Sequence, residues 1–171
     1  MQSIEYEISD VDFLIERFAA LTEKQVYELP SEFAERVRYL SADLTPFPGR
    51  FSWERFPYFK KIVDCFAPDN PVQEVVLMKG NQLGGTTAVI ETVILYNIMS
   101  NPNPQAYVTA DAGLMKTSVQ TKIEKMIDNA GARDLIFSQN RKQKGSRDTG
   151  DTAISKEYPG GYLHCFGGRS P

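Results

Sequence analysis

The residues best placed to do chemistry are Lys79, Gly80, Asn81, Gln82, Leu83, Gly84, Gly85, Thr86 and Thr87, which follow the apolar run Val75-Val76-Leu77-Met78. A glycine-rich turn between a strand and the hydroxyl-bearing start of a helix surrounds an anion with backbone N–H groups and a positive helix end. The spacing approaches G-x-x-x-x-G-K-[ST] and departs from it at two positions. With Gly84 as the second glycine and Thr86 as the magnesium-side hydroxyl, Gly85 stands where the lysine belongs and Lys79 where the first glycine belongs. The lysine has moved to the other lip of the loop. Its flexible stem lets the ammonium reach β- and γ-phosphates from there. The competing reading is a close-packed strand-to-helix turn that binds nothing.

The elements around the loop have to position it. Thr87 to Met99 carries Val89, Ile90, Val93, Ile94 and Ile98. The β-branching favours a strand, but the length and the stop at Ser100-Asn101-Pro102 favour a buried helix. Before the loop, Asp10 or Asp12 is a cap for a helix with Phe13, Leu14, Phe18 and Leu21 on one stripe. A second helix starts at Ser31 with Phe33, Val37 and Leu40 inward and Arg36 and Arg38 outward. Leu44 to Trp53 reads as an extended connector, and Phe56-Pro57-Tyr58 opens a helix through Phe66 that ends at Pro68–Pro71. After it come a strand at Gln105–Thr109, a helix capped by Asp111 and running through Asn129, and a short strand at Leu135–Phe137. Residues Arg141–Arg147 form a basic loop, either solvated or touching DNA. Thr152–Tyr158 and Tyr162–Phe166 form a hairpin about Pro159-Gly160-Gly161. Strands alternating with helices imply a largely parallel sheet flanked by helices.

The 171 residues allow one domain of ordinary size, with 42% hydrophobic and 24% charged residues. The net charge of -3 is uneven: residues 1–43 carry ten acids and four bases, and the remainder twelve acids and fifteen bases. The acidic start suits a protein partner rather than nucleic acid. No apolar run reaches the roughly 18 residues of a membrane span, because Glu91 and Thr92 interrupt the only candidate. No signal pattern opens the chain, which predicts an intracellular protein. Cys65 and Cys165 lack metal-ligand spacing and read as reduced thiols; His164 reads as a packing residue.

Ser31-Glu32-Phe33-Ala34-Glu35-Arg36, Pro48-Gly49, Phe56-Pro57-Tyr58, Lys79 to Thr87, Pro159-Gly160-Gly161 and Gly167-Gly168-Arg169-Ser170-Pro171 occur in that order. From Ser31 to Pro171 the chain resembles the N-terminal ATPase region of phage terminase large subunits of the GpA type. The resemblance implies a P-loop NTPase-like α/β fold over residues 46–171, preceded by an acidic helical segment, residues 1–45, that docks the small terminase subunit. It implies ATP and Mg2+ as ligands, Lys79 as the loop lysine, Gly80 to Gly85 as the phosphate cradle, and Thr86 on the magnesium side. Tyr58 would lie against the adenine, or else be a core aromatic at a helix start. Implied partners are double-stranded DNA, the capsid portal and further copies of the chain, in the host-cell cytoplasm. In this family an Asp-Glu pair comes after the Gly-Gly-x-Ser-Pro segment, and a nuclease domain later still. Both are expected beyond Pro171, leaving the catalytic carboxylate unassigned, the sheet incomplete and this portion nearly inactive in hydrolysis. Two other readings are a helicase-like translocase and a docking module with a vestigial loop.

Overall fold

Pro30 opens the first well-packed helix, where its missing N–H costs nothing and its fixed φ suits the first turn. The computed structural model describes residues 11–15, 17–18, 27–43, 45–137 and 154–168. Residues 11–15 and 17–18 are helical, with Phe13, Leu14 and Phe18 exposed. Helix α1, Pro30–Val37, buries Phe33 and Ala34. Ser31 does not cap it. Its N–H and its hydroxyl both donate to Asp64, each at 2.9 Å, and so tie α1 to α2, Lys60–Asp64.

Arg38 corrects the helical pattern. The backbone turns extended at this residue, so its side chain leaves the helix surface and swings inward, where it is only 3% exposed. The chain continues as β1, Tyr39–Leu40, antiparallel to β2, Gly49–Arg50. The helix expected from Phe56 to Phe66 runs from Pro57 to Asp64, as a 3-10 turn, Pro57–Phe59, continuous with the short α2, and a separate 3-10 turn, Trp53–Arg55, is broken from it at Phe56. Pro57 explains the break, since a residue before proline is pushed away from helical geometry and Phe56 sits at φ -135°, ψ 45°.

The strand expected at Val75–Met78 does not form. Residues 71–80 are irregular, and Val76 and Met78 are 83% and 98% exposed. A β-branched run becomes a strand only beside a pairing partner, and none of the described strands pairs with it. The helix after the loop does form: a π-helical turn, Thr86–Ile90, leads into α3, Glu91–Met99. Its length outweighed its β-branching.

Strand β3, Gln105–Thr109, lies where the sequence placed it. Asp111 then caps α4, Ala112–Ser118, by accepting from Leu114 N–H at 2.8 Å. A second π turn, Val119–Ile123, and α5, Glu124–Asn129, complete the rod. Leu135–Phe137 is not a strand. A 3-10 turn, Arg133–Leu135, precedes a single ladder-like bond from Phe137 N–H to Glu157 O at 2.9 Å. Strands β4, Ser155–Tyr158, and β5, Gly161–Gly167, form the expected hairpin, with Gly160 at φ 87° making the turn. The loop Arg141–Arg147 lies outside the described residues.

The main sheet has the order β3-β5-β4 and is mixed rather than largely parallel. The tight turn forces β4 and β5 antiparallel, whereas the long connection through α4 and α5 brings β5 back parallel to β3. Alternate residues of β5 face opposite ways. Leu163 and Cys165 are buried, while the rings of Tyr162, His164 and Phe166 form an outer row at 4.8 and 6.0 Å spacing. His164 is thus held by ring packing. Two apolar clusters result. The larger joins Phe33, α3, α4, α5 and the hairpin. The smaller joins Ala34, Leu40, Phe51, Trp53, Phe59 and Val63 to Ala88 and Val89, directly behind the glycine-rich loop.

Candidate functional site

Lys79 is accounted for by Gly85. The backbone at Gly85 is ordinary helical, φ -59°, and would accept any residue, yet a Cβ there would sit 2.7 Å from both Cδ and Cε of Lys79. The lysine stem therefore lies across the position where a lysine would conventionally start. Its ammonium donates to Gly80 O at 3.3 Å and is exposed to solvent. Gly84 has a different reason to be glycine. It lies at φ 78°, and a Cβ would come within 2.4 Å of Cε1 of Phe56. Gln82 is the one non-glycine residue among those described with a positive φ, 57°, a local strain of the kind found at ligand clamps.

The loop opens onto a cleft of about 740 Å³, within the range of small-molecule sites. Of the residues singled out from the sequence, Tyr58, Lys79, Asn81, Gln82, Leu83, Gly84, Gly85, Thr86 and Thr87 all line it; Gly80 lies outside the lining. At the helix start the first backbone bond runs from Ala88 N–H to Gly84 O at 2.7 Å. The preceding N–H groups have no partner within the helix, which leaves donors and a positive dipole end for an anion. Thr86 and Thr87 differ in use. The Thr87 hydroxyl donates to Glu91 Oε1 at 3.2 Å, whereas that of Thr86 makes no hydrogen bond among the described residues.

Tyr58 does more than present a ring. Its hydroxyl donates to Leu83 O at 3.0 Å, and its ring meets Phe59 edge-on at 4.5 Å. It pins the loop backbone while remaining 51% exposed. A smaller apolar hollow of about 310 Å³, lined by Leu40, Thr45, Phe47, Arg55 and Phe56, shares four of these residues with the main cleft.

Behind the loop lies a network that the sequence pattern did not reveal. The Arg38 guanidinium donates to Glu91 Oε2 at 2.8 Å, to the Thr92 hydroxyl at 2.7 Å and to Thr87 O at 2.5 Å, over the ring of Phe51. Burial lowers the pKa of Arg38 and the Glu91 carboxylate opposes that shift. The network thus joins the end of α1 to the first π turn, through Thr87, and to the start of α3, through Glu91 and Thr92. Glu91 lies by a small recess of about 40 Å³ beside the main cleft, and both its oxygens are engaged. Lys122 lines both cavities and was also not singled out. No group of three or more metal-ligating side chains occurs among the described residues, and no described helix is long and apolar enough to cross a membrane.

A glycine-rich turn, a lysine laid over it, helix-start N–H groups and a threonine hydroxyl with no partner among the described residues are brought together on one cleft, an arrangement chemically suited to an anion. Residues 45–171 match the family model described as phage terminase large subunit gpA, ATPase domain, and the chain belongs to that family. No curated protein and no solved structure matches it.

Proposed function

We propose that residues 79–87 bind the phosphates of ATP, and that the chain is the nucleotide-binding part of a motor that packages phage DNA. The observation that carries this reading is Lys79 lying across Gly85, which restores a cation to a loop that has lost its lysine at the usual position. Lys79 neutralises phosphate charge, while the N–H groups at the start of the helix bind phosphate oxygens and orient the chain of phosphates. The Thr86 hydroxyl, without a hydrogen bond among the described residues, fits a ligand to Mg2+, which when bound would neutralise charge between phosphates. The cleft is lined on another side by Phe47, Phe56 and Tyr58, aromatic surface suited to the purine base.

No carboxylate lines the main cleft among the described residues, and Glu91 beside it is committed to Arg38 and Thr87. No described residue is placed to orient the attacking water, and the expected outcome for residues 1–171 is ATP binding with little DNA-stimulated turnover. Double-stranded DNA, a portal and further copies of the chain are the partners of such a motor, and the acidic segment through residue 45 is a surface for a small subunit.

The test is Lys79→Ala in the full-length protein. ATP binding measured by calorimetry should fall beyond detection, and hydrolysis should drop about a hundredfold or more, as for loss of a preorganised charge in the transition state. Wild-type affinity and turnover in that variant would sink the assignment. Absence of ATP binding in the wild type would leave a docking module with a vestigial loop.

A further inference from the structure

We propose that Lys122, carried on the rod after β3, is a second phosphate-binding cation of this cleft, reaching the nucleotide from outside the loop. The inference rests on the ATP-site reading above. Two features of the structure coincide at this residue. The described residues contain two π turns, Thr86–Ile90 and Val119–Ile123, and both contribute to one cleft: Thr86 and Thr87 from the first, Lys122 from the second. Such turns are rare in proteins and concentrate at functional sites, where they displace a side chain from the course of a regular helix.

The second feature is the charge of Lys122 and its lack of a partner. One turn further on, Lys125 is spent in an ion pair with Asp43. Lys122 makes no ion pair or hydrogen bond among the described residues, is partly buried, and borders both the main cleft and the recess beside Glu91 and Thr87. A triphosphate carries more negative charge than one lysine offsets. The loop supplies only Lys79, because Gly85 has no side chain. A partly buried ammonium facing the same space binds phosphate oxygen as a compact charge.

Calorimetric titration of the full chain with ATP in Mg2+ tests the assignment on four variants. Lys122→Ala and Lys122→Gln should each weaken ATP binding on the order of tenfold to a hundredfold, the range of a charge-assisted hydrogen bond. Lys122→Arg should retain most of the affinity, and Lys125→Ala should leave it unchanged. Loss in Lys122→Ala with retention in Lys122→Gln would show that the stem and not the charge matters, and would overturn the proposal. So would unchanged affinity in both while Lys79→Ala abolishes binding, an outcome that leaves the loop assignment standing. Failure of the wild type to bind ATP would overturn both.

Discussion

A single missing side chain sets the chemistry at Gly85. Because its backbone is helical, Gly85→Ala gains up to about 1 kcal/mol through helix propensity, opposed by a tight 3.3 Å approach of the new methyl to Cζ of the buried Phe59. The new methyl would also displace the far end of Lys79, which is flexible and yields easily. The expected result is a thermal midpoint close to wild type, because the propensity gain and the Phe59 contact oppose each other, with ATP affinity lowered by about tenfold, a shift of about 1.4 kcal/mol. Wild-type ATP affinity in Gly85→Ala would refute the contact. That one position lacks a side chain and another carries a charge was legible in the sequence. The reason for Gly84 was not, since it depends on the ring of Phe56, twenty-eight residues earlier.

Elements whose signals are local were read well. The α4–α5 rod declared itself through the Asp111 cap, and β3 through its bracketing turns. Val75–Met78 was misread because strand formation needs a neighbour that sequence cannot display. Arg38 was misread because periodicity assumes the helix continues, and it ends there. The energetic consequence is large. Arg38→Met removes one half of a buried pair and should destabilise by about 3–5 kcal/mol, chiefly through the stranded Glu91. Joining it to Glu91→Met should recover most of that loss. Urea unfolding of the two variants checks this; a double variant no more stable than the single one would show that the pair is not the cause.

At the level of the whole molecule, the hairpin closes the larger core with Tyr158, Leu163 and Cys165. Burial pushes the Cys165 thiol up to about 11 from 9.0, against an opposing pull from Lys156. Burial raises the hydroxyls of Tyr96 and Tyr158 as well. A thiol that keeps its proton longer when folded contributes stability below pH 9.0, and that contribution is lost as pH rises toward about 11. The thermal midpoint should therefore fall across this window, and Cys165→Ala should flatten the fall. An identical slope in that variant would assign the effect to other groups. The sequence showed two thiols without metal spacing; that one faces a core is a result of the register of β5, a property of the assembled sheet.

The second π turn has a consequence best expressed as phase. An α-helix advances about 100° per residue, so an unbroken one would set Met115, Val119, Lys122 and Met126 on a single line. The extra residue accommodated between Val119 and Ile123 rotates the later part of the rod back by about one such step. The buried face then takes in Met115, Val119, Ile123, Met126 and Ile127, and Lys122 falls to its flank, at the cleft. A rod one residue shorter at this point would carry the same lysine into the core. The turn is thus an insertion that changes facing without changing direction, and the cleft owes a cation to it.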